Sequence, residues 1–279
     1  MTDVLTVSRN GDKCHVLLNR PAAGNALNPQ LVGALLEVLE ACRSDGTQRL
    51  TIEGAGRHFC TGFDLSDVMA MTRRDDAEPN DGDARHADDC LLGRFVRIER
   101  LLQALADAPF QTIARVHGRA AGAGADLLTA CIQRELTGDA IVSFPGASGF
   151  GLVLGTRRLA GRVGEATARE WVTSGRSITA AEALAAGLAT IVKGPLGPPR
   201  ANVSSQRELD THTGALIDDA LRDETGMPVQ PDLAQSQRRA NDKDLALLVA
   251  SAARPGLARR IAGYMDSISA LRRQAASTQ

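Results

Sequence analysis

Aromatic side chains are scarce in this sequence, with six Phe, one Tyr and one Trp among 279 residues. The core must therefore be built from Ala, Leu, Val and Ile, and the base-stacking platforms of single-strand binders are excluded. Neither sign of charge dominates, since 32 Lys plus Arg face 33 Asp plus Glu. No net field draws a nucleic acid or an anionic membrane surface. The five cysteines, Cys14, Cys42, Cys60, Cys90 and Cys131, are odd in number and show no C-x-x-C spacing. That argues against a disulfide framework and a zinc site, and for a reducing compartment. No stretch approaches the about 18–20 apolar residues of a membrane span, and Asp126 interrupts the most apolar helical segment early. Met1-Thr2-Asp3-Val4 has no basic start before an apolar run, so no signal peptide is expected. These absences predict a cytoplasmic globular protein with no metal, nucleic-acid or membrane partner.

What is present is an ordinary globular composition, 43% hydrophobic and 23% charged, long enough for one large domain. Val4-Leu5-Thr6-Val7 and His15-Val16-Leu17-Leu18 are β-rich runs around Asn10-Gly11, a strong hairpin signal. Asn28-Pro29 supplies an N-cap and a first-turn proline for a helix carrying Leu31, Val32, Leu35, Leu36, Leu39 and Cys42. Leu50-Thr51-Ile52 then reads as a buried strand, and strand, helix, strand with short links predicts a crossover in an α/β fold. Residues 72–89 are charged, lack a large apolar side chain and predict a mobile loop, either a plain surface excursion or a lid over a site. An amphipathic helix is expected over 91–106 and a strand over 112–116. The Pro/Gly/Ser-rich stretch 194–205 is the best candidate boundary, dividing a core of 1–193 from a helical region of 194–279. Helices are expected there over 208–221, 232–252 and 255–272, packing on the core or on a neighbouring subunit.

Two glycine-containing segments are the candidate chemistry. One runs from His58 through Phe59-Cys60-Thr61-Gly62-Phe63-Asp64 to Leu65, after a strand. The other runs from Val116 through His117-Gly118-Arg119-Ala120-Ala121-Gly122-Ala123-Gly124-Ala125-Asp126 to Leu127, where a strand turns into a helix. Small residues let a ligand or another backbone approach the main chain, and a helix start offers N–H groups to an anion or a developing oxyanion. Tight helix–strand packing is the plainer reading of the same glycines. A dinucleotide fingerprint is disfavoured because Gly122 and Gly124 have no third glycine at the required spacing. No Gly-Lys-Ser/Thr makes a phosphate loop.

Over residues 4–192 the sequence resembles the crotonase superfamily of enoyl-CoA hydratases and isomerases. Leu18-Asn19-Arg20-Pro21 with Asn25-Ala26-Leu27 resembles the family's opening motif, and the two segments above resemble its oxyanion segments. Leu154-Gly155-Thr156-Arg157-Arg158-Leu159 with Gly161-Arg162-Val163-Gly164 resembles G-G-T-x-R-L…VG. Gly175-Arg176-Ser177-Ile178-Thr179-Ala180 with Gly187-Leu188-Ala189 resembles the later G-x-x-I-x-A…GLV. The resemblance implies a spiral of ββα units (ClpP-like) in two sheets, with C-terminal helices assembling a homotrimer or homohexamer. It implies an acyl-CoA substrate, coenzyme A entering as part of it and no other cofactor, and a place in fatty-acid metabolism. The backbone N–H groups of Thr61 and Ala123 are then the expected oxyanion donors, and Gly62, Phe63, Asp64 and Gly122 the substrate-binding positions. Asp64 is expected to order its loop.

Asp126 occupies the position of the first catalytic glutamate, retracted by about 1.5 Å for the missing methylene. The second glutamate belongs in F-G-x-P-E-x-x-L-G, but Phe144-Pro145-Gly146-Ala147-Ser148-Gly149-Phe150-Gly151 carries no acid. The expected activity is that of an enoyl-CoA hydratase or isomerase working through an oxyanion-stabilised enolate. The alternatives are a one-acid or acid-free reaction (isomerisation, decarboxylation or thioester hydrolysis) and a non-catalytic acyl-CoA-binding homologue. His58 could activate Cys60, and His86 could swing in from the loop; His117 reads as a hydrogen-bonded structural histidine.

Overall fold

The hairpin forms where the Asn-Gly signal puts it: β1 (Leu5–Asn10) pairs antiparallel with β2 (Lys13–Leu18), Asn10 opposite Lys13. β1 is the edge strand, exposed along nearly its whole length. Helix α1 (Pro29–Ser44) starts as expected, Pro29 in its first turn and the Asn28 side chain accepting from the Leu31 N–H at 2.9 Å. It returns the chain to β3 (Arg49–Gly54), parallel to β2. The computed structural model describes residues 3–66, 68, 81–197, 209–222 and 233–277.

Helix α2 spans Asp81–Ala106. Residues 81–89 are therefore helical, which corrects the loop expected over 72–89; residues 72–80 lie outside the described residues. A tertiary anchor explains part of the difference. The Asp88 carboxylate accepts from the N–H groups of Gly256 at 2.6 Å and Ala258 at 2.9 Å, tying this stretch to the C-terminal region. Composition alone could not show that partner. The apolar stripe of Leu91, Phe95, Ile98, Leu101, Leu102 and Leu105 is buried as the spacing requires.

β4 (Gln111–Val116), β6 (Gln133–Thr137) and β9 (Ile191–Lys193) continue the first sheet in parallel, giving the order β1-β2-β3-β4-β6-β9. β5 (Arg119–Ala121), β7 (Ile141–Ser143) and β8 (Ile178–Thr179) form a second, three-stranded sheet. Along the chain, α3 (Ala123–Ala130) follows β5, and α4 (Gly146–Phe150), α5 (Thr156–Val163) and α6 (Glu165–Ser174) come between β7 and β8. α7 (Ala180–Ala185) begins with Thr179 and Glu182 capping each other's backbone. Among the described residues no helix is long and apolar enough to cross a membrane.

The C-terminal region forms α8 (Thr211–Leu221), α9 (Leu233–Ala252) and α10 (Leu257–Ser277), close to the expected helices. These pack on the chain's own core. Leu247, Leu248, Leu257 and Ile261 are buried in it, the Ser251 hydroxyl accepts from Val153 N–H at 3.0 Å, and Gln103 donates to the Asn241 carbonyl at 2.9 Å. Of the expected linker only 194–197 is described; there Gly197 N–H donates to the Gly138 carbonyl at 2.8 Å.

Candidate functional site

The two glycine-containing segments run side by side. Cys60 N–H donates to the Arg119 carbonyl at 3.2 Å, and Ala121 N–H donates to the Cys60 carbonyl at 3.0 Å. The next residue turns the other way, and Thr61 N–H donates to the Gly24 carbonyl at 3.0 Å. Gly62 follows at φ +95°, and a Cβ there would stand 2.5 Å from the Ala121 carbonyl oxygen and 3.3 Å from Ala123 N. Glycine is required by both conformation and space. It also resets the alternation of the strand. Leu27 takes the carbonyl of Gly62 at 2.7 Å and the N–H of Asp64 at 3.2 Å, which in a parallel pairing leaves the Phe63 N–H pointing away from Leu27.

This corrects one expectation. Thr61 is placed in the segment, but its N–H is spent on Gly24, so it is not a free donor. Among the described residues, Phe63 N–H makes no hydrogen bond, and neither does Ala123 N–H at the first position of α3. An orphan amide is expected at a helix start; a second one across Gly62 is not, and the resemblance makes Phe63 only a substrate-binding position. The signal lay in Gly62, whose positive φ separates the bonded amide of Thr61 from the unpartnered amide of Phe63. Gly122, at φ +51°, is the N-cap of α3 and donates to the Ser143 carbonyl at 2.9 Å.

Asp64 is buried, paired with Arg20 at 2.8 Å, and accepts from the Ser66 N–H at 3.1 Å and hydroxyl at 2.6 Å. Burial would raise its carboxyl, but the Ser66 and Arg20 bonds outweigh that and hold it below the usual range. Its contacts order the loop. Asn25, quoted in the opening motif without a role, is fully buried at φ +55° and donates to the Ala55 and His58 carbonyls at 2.9 and 2.7 Å. It fixes the turn that presents Gly24 to Thr61.

Asp126 lies in the first turn of α3 and is 4% exposed. Its Oδ1 is buried without a hydrogen-bond partner and faces Gly155, where a Cβ would come within 2.2 Å. Burial pushes this carboxyl well above the usual range; Arg158 opposes the shift and Glu99 adds to it. Arg158 itself grips Glu99 through a two-pronged pair at 2.6 and 2.8 Å and reaches Asp244 at 2.9 Å.

The acid-free segment 144–151 folds around the short helix α4. A Cβ at Gly149 would strike the Tyr264 ring at 2.8 Å, so the segment's small residue admits an aromatic from α10. Phe63, Phe95, Phe150 and Tyr264 then form a chain of rings with centroids 4.5, 6.4 and 5.5 Å apart. Beside Phe63 a small cleft lined by Leu27, Val32, Ile98, Arg94 and Arg97 encloses about 20 Å³, the space of a single water.

Other candidates take plainer roles. Cys60 is buried and its thiol is pushed up to about 12 by burial, so it is not a thiolate that His58 could activate. His58 is itself held below its ordinary value, first by burial and then by Arg57, Arg119 and His117. His117 bonds the Gly56 carbonyl at 2.8 Å, as a structural histidine does. His86 sits within α2 rather than in a loop.

The sequence model of the Enoyl-CoA hydratase/isomerase family matches residues 9–195. A relative from Bos taurus, "Enoyl-CoA hydratase domain-containing protein 2, mitochondrial", is 33% identical over 62% of this chain and 55% of its own. The peroxisomal Delta(3,5)-Delta(2,4)-dienoyl-CoA isomerase of Arabidopsis thaliana is 27% identical over 69% of each chain. A solved structure from Bordetella parapertussis, described as an enoyl-CoA hydratase/isomerase, shares 35% identity with a TM-score of 0.70. It covers 94% of this chain and 98% of that one. The chain spans 55% and 63% of the length of the first curated relatives it matches.

Proposed function

Because the chain belongs to the enoyl-CoA hydratase/isomerase family, we propose that it is an enzyme acting on acyl-CoA thioesters through an enolate. The thioester oxygen sits between the N–H groups of Phe63 and Ala123. The observation that carries this reading is the pair of unpartnered amides beside Gly62: Phe63 follows it in the chain, and Ala123 N lies 3.3 Å from where a Gly62 Cβ would stand. Two fixed donors aimed at a developing oxyanion stabilise the transition state more than the ground state, because negative charge grows on that oxygen as the enolate forms. Gly62 and Gly122 let the thioester approach the backbone, Asp64 and Arg20 hold the loop, and coenzyme A arrives as part of the substrate. Asp126, in the first turn of α3, is the carboxyl assigned to exchange a proton with the substrate.

A one-acid reaction is favoured over two-acid hydration. The helix Gly146–Phe150, where a second acid belongs, offers none and is closed by Tyr264. Hydration needs one group to direct water and another to protonate carbon. Assembly as a homotrimer or homohexamer belongs to the same proposal, as the family resemblance implies. Turnover across a panel of enoyl-, acetyl- and malonyl-CoA thioesters tests the function. Reaction of at least one, with crotonyl-CoA hydration slow, is the expected result. Inactivity with all of them, despite tight binding, would leave a non-catalytic acyl-CoA-binding protein.

A further inference from the structure

The charges around Asp126 balance without it. Arg158, 8% exposed, holds Glu99, fully buried, through two bonds of 2.6 and 2.8 Å. The same guanidinium reaches Asp244 of α9 at 2.9 Å. Arg157 also grips Asp244, at 2.7 and 3.0 Å. Two guanidinium groups thus face two carboxylates, and Gln103 adds a bond of 2.9 Å to Glu99. Asp126 stands next to this group as a third acid, its Oδ1 buried and unpartnered. The donor left over on Arg158, its Nε, is buried and unpartnered as well, so the nearby cation does not bond the Asp126 carboxyl. An ionised Asp126 would leave one uncompensated negative charge in the interior, which burial penalises heavily.

We infer that Asp126 rests as a neutral carboxylic acid, kept so by this self-balanced cluster, and that the site delivers a proton to an enolate rather than taking one from the substrate. The inference rests on the acyl-CoA reading and deepens it by naming a substrate class. A resting acid cannot begin by abstracting a proton or activating water. It suits an enolate generated by loss of carbon dioxide from a β-carboxyacyl thioester of the malonyl type. There the bond between the α-carbon and the carboxylate breaks, and its electron pair moves into the thioester, whose oxygen is held by Phe63 and Ala123 N–H. Carbon dioxide leaves, and the pair returns to form a C–H bond with the Asp126 proton. The aspartate left behind takes a proton from water. Asp244 comes from the C-terminal helices, so that region helps to set the protonation of Asp126 through Arg158. The charged groups facing Asp126 are Glu99 on α2 and Arg158 on α5; Asp244 on α9 acts through Arg158, and Arg157 on α5 through Asp244.

Infrared difference spectra of the whole chain, wild type against Asp126→Asn, test the resting state directly. The expected result at neutral pH is a protonated-carboxyl band that the variant lacks. In Asp244→Asn the same band is expected to disappear at lower pH, since one balancing negative charge is gone. No such band in the wild type overturns the inference, whatever the activity, and an unmoved midpoint in Asp244→Asn overturns the role of the cluster. With malonyl-CoA and acetyl-CoA in deuterated water, label should enter the decarboxylation product at least about tenfold faster than it enters acetyl-CoA. Equal rates would make Asp126 a base and overturn the inference. A normal band with neither thioester bound would instead remove the acyl-CoA reading beneath it.

Discussion

Replacing the Phe63 amide by an ester removes one N–H and leaves the ring against Phe95 at 4.5 Å. Turnover should fall about 10²–10³-fold, the usual cost of an oxyanion donor. The same exchange at Thr61, whose N–H already serves Gly24, should change turnover by far less. Stopped-flow or steady-state rates on the best thioester of the panel check both. Asp126 gives a second residue-level test through stability. Below the ordinary aspartate value of about 3.9, folded and unfolded chains both hold this proton and burial carries no penalty. As pH rises past that value the unfolded chain releases the proton while the folded chain keeps it, so stability falls until the raised folded pKa is passed. Asp126→Asn lacks this decline. Denaturant melts should show the variant gaining on wild type as pH rises from about 4 to neutrality, while its turnover drops about 10²-fold. A wild type that instead gains stability over that range, relative to the variant, would contradict the neutral-acid assignment.

At the scale of elements, the sequence was readable wherever a signal was local. Asn10-Gly11, Asn28-Pro29 and the stripe from Leu91 to Leu105 each act on near neighbours, and the hairpin, α1 and the apolar face of α2 formed as they require. The start of α2 was not readable, because part of what holds residues 81–89 is Asp88 capping α10 from far along the chain. The partner of the Thr61 amide was unreadable for a related reason. The motif resemblance points to Thr61, but across Gly62 it is the Phe63 N–H that is left without a partner among the described residues. Asp88→Ala should therefore cost about 0.5–2 kcal/mol, the range for loss of an N-cap. Hydrogen exchange would show the loss concentrated in α10 and the first turns of α2; protection unchanged in both would mean that the contact is incidental.

For the whole molecule, the C-terminal helices complete the core rather than extend it. They bury Leu248, Leu257 and Ile261 and supply Asp244 to Arg158. A chain ending before Leu233 would expose that apolar surface and leave the buried charges around Glu99 short of a partner. It should aggregate or unfold, with lost ellipticity exceeding the helices removed; a truncated chain that stays folded, with unchanged mass in light scattering, would contradict this role. Acyl-CoA chemistry at two opposed amides is the claim on which the rest depends. The most direct measurement is the carbonyl ¹³C resonance of labelled acetyl-CoA bound to the protein. A clear downfield displacement, reduced when Phe63 carries an ester in place of its amide, is the predicted result. A bound resonance at the free-solution position in both proteins would contradict the account.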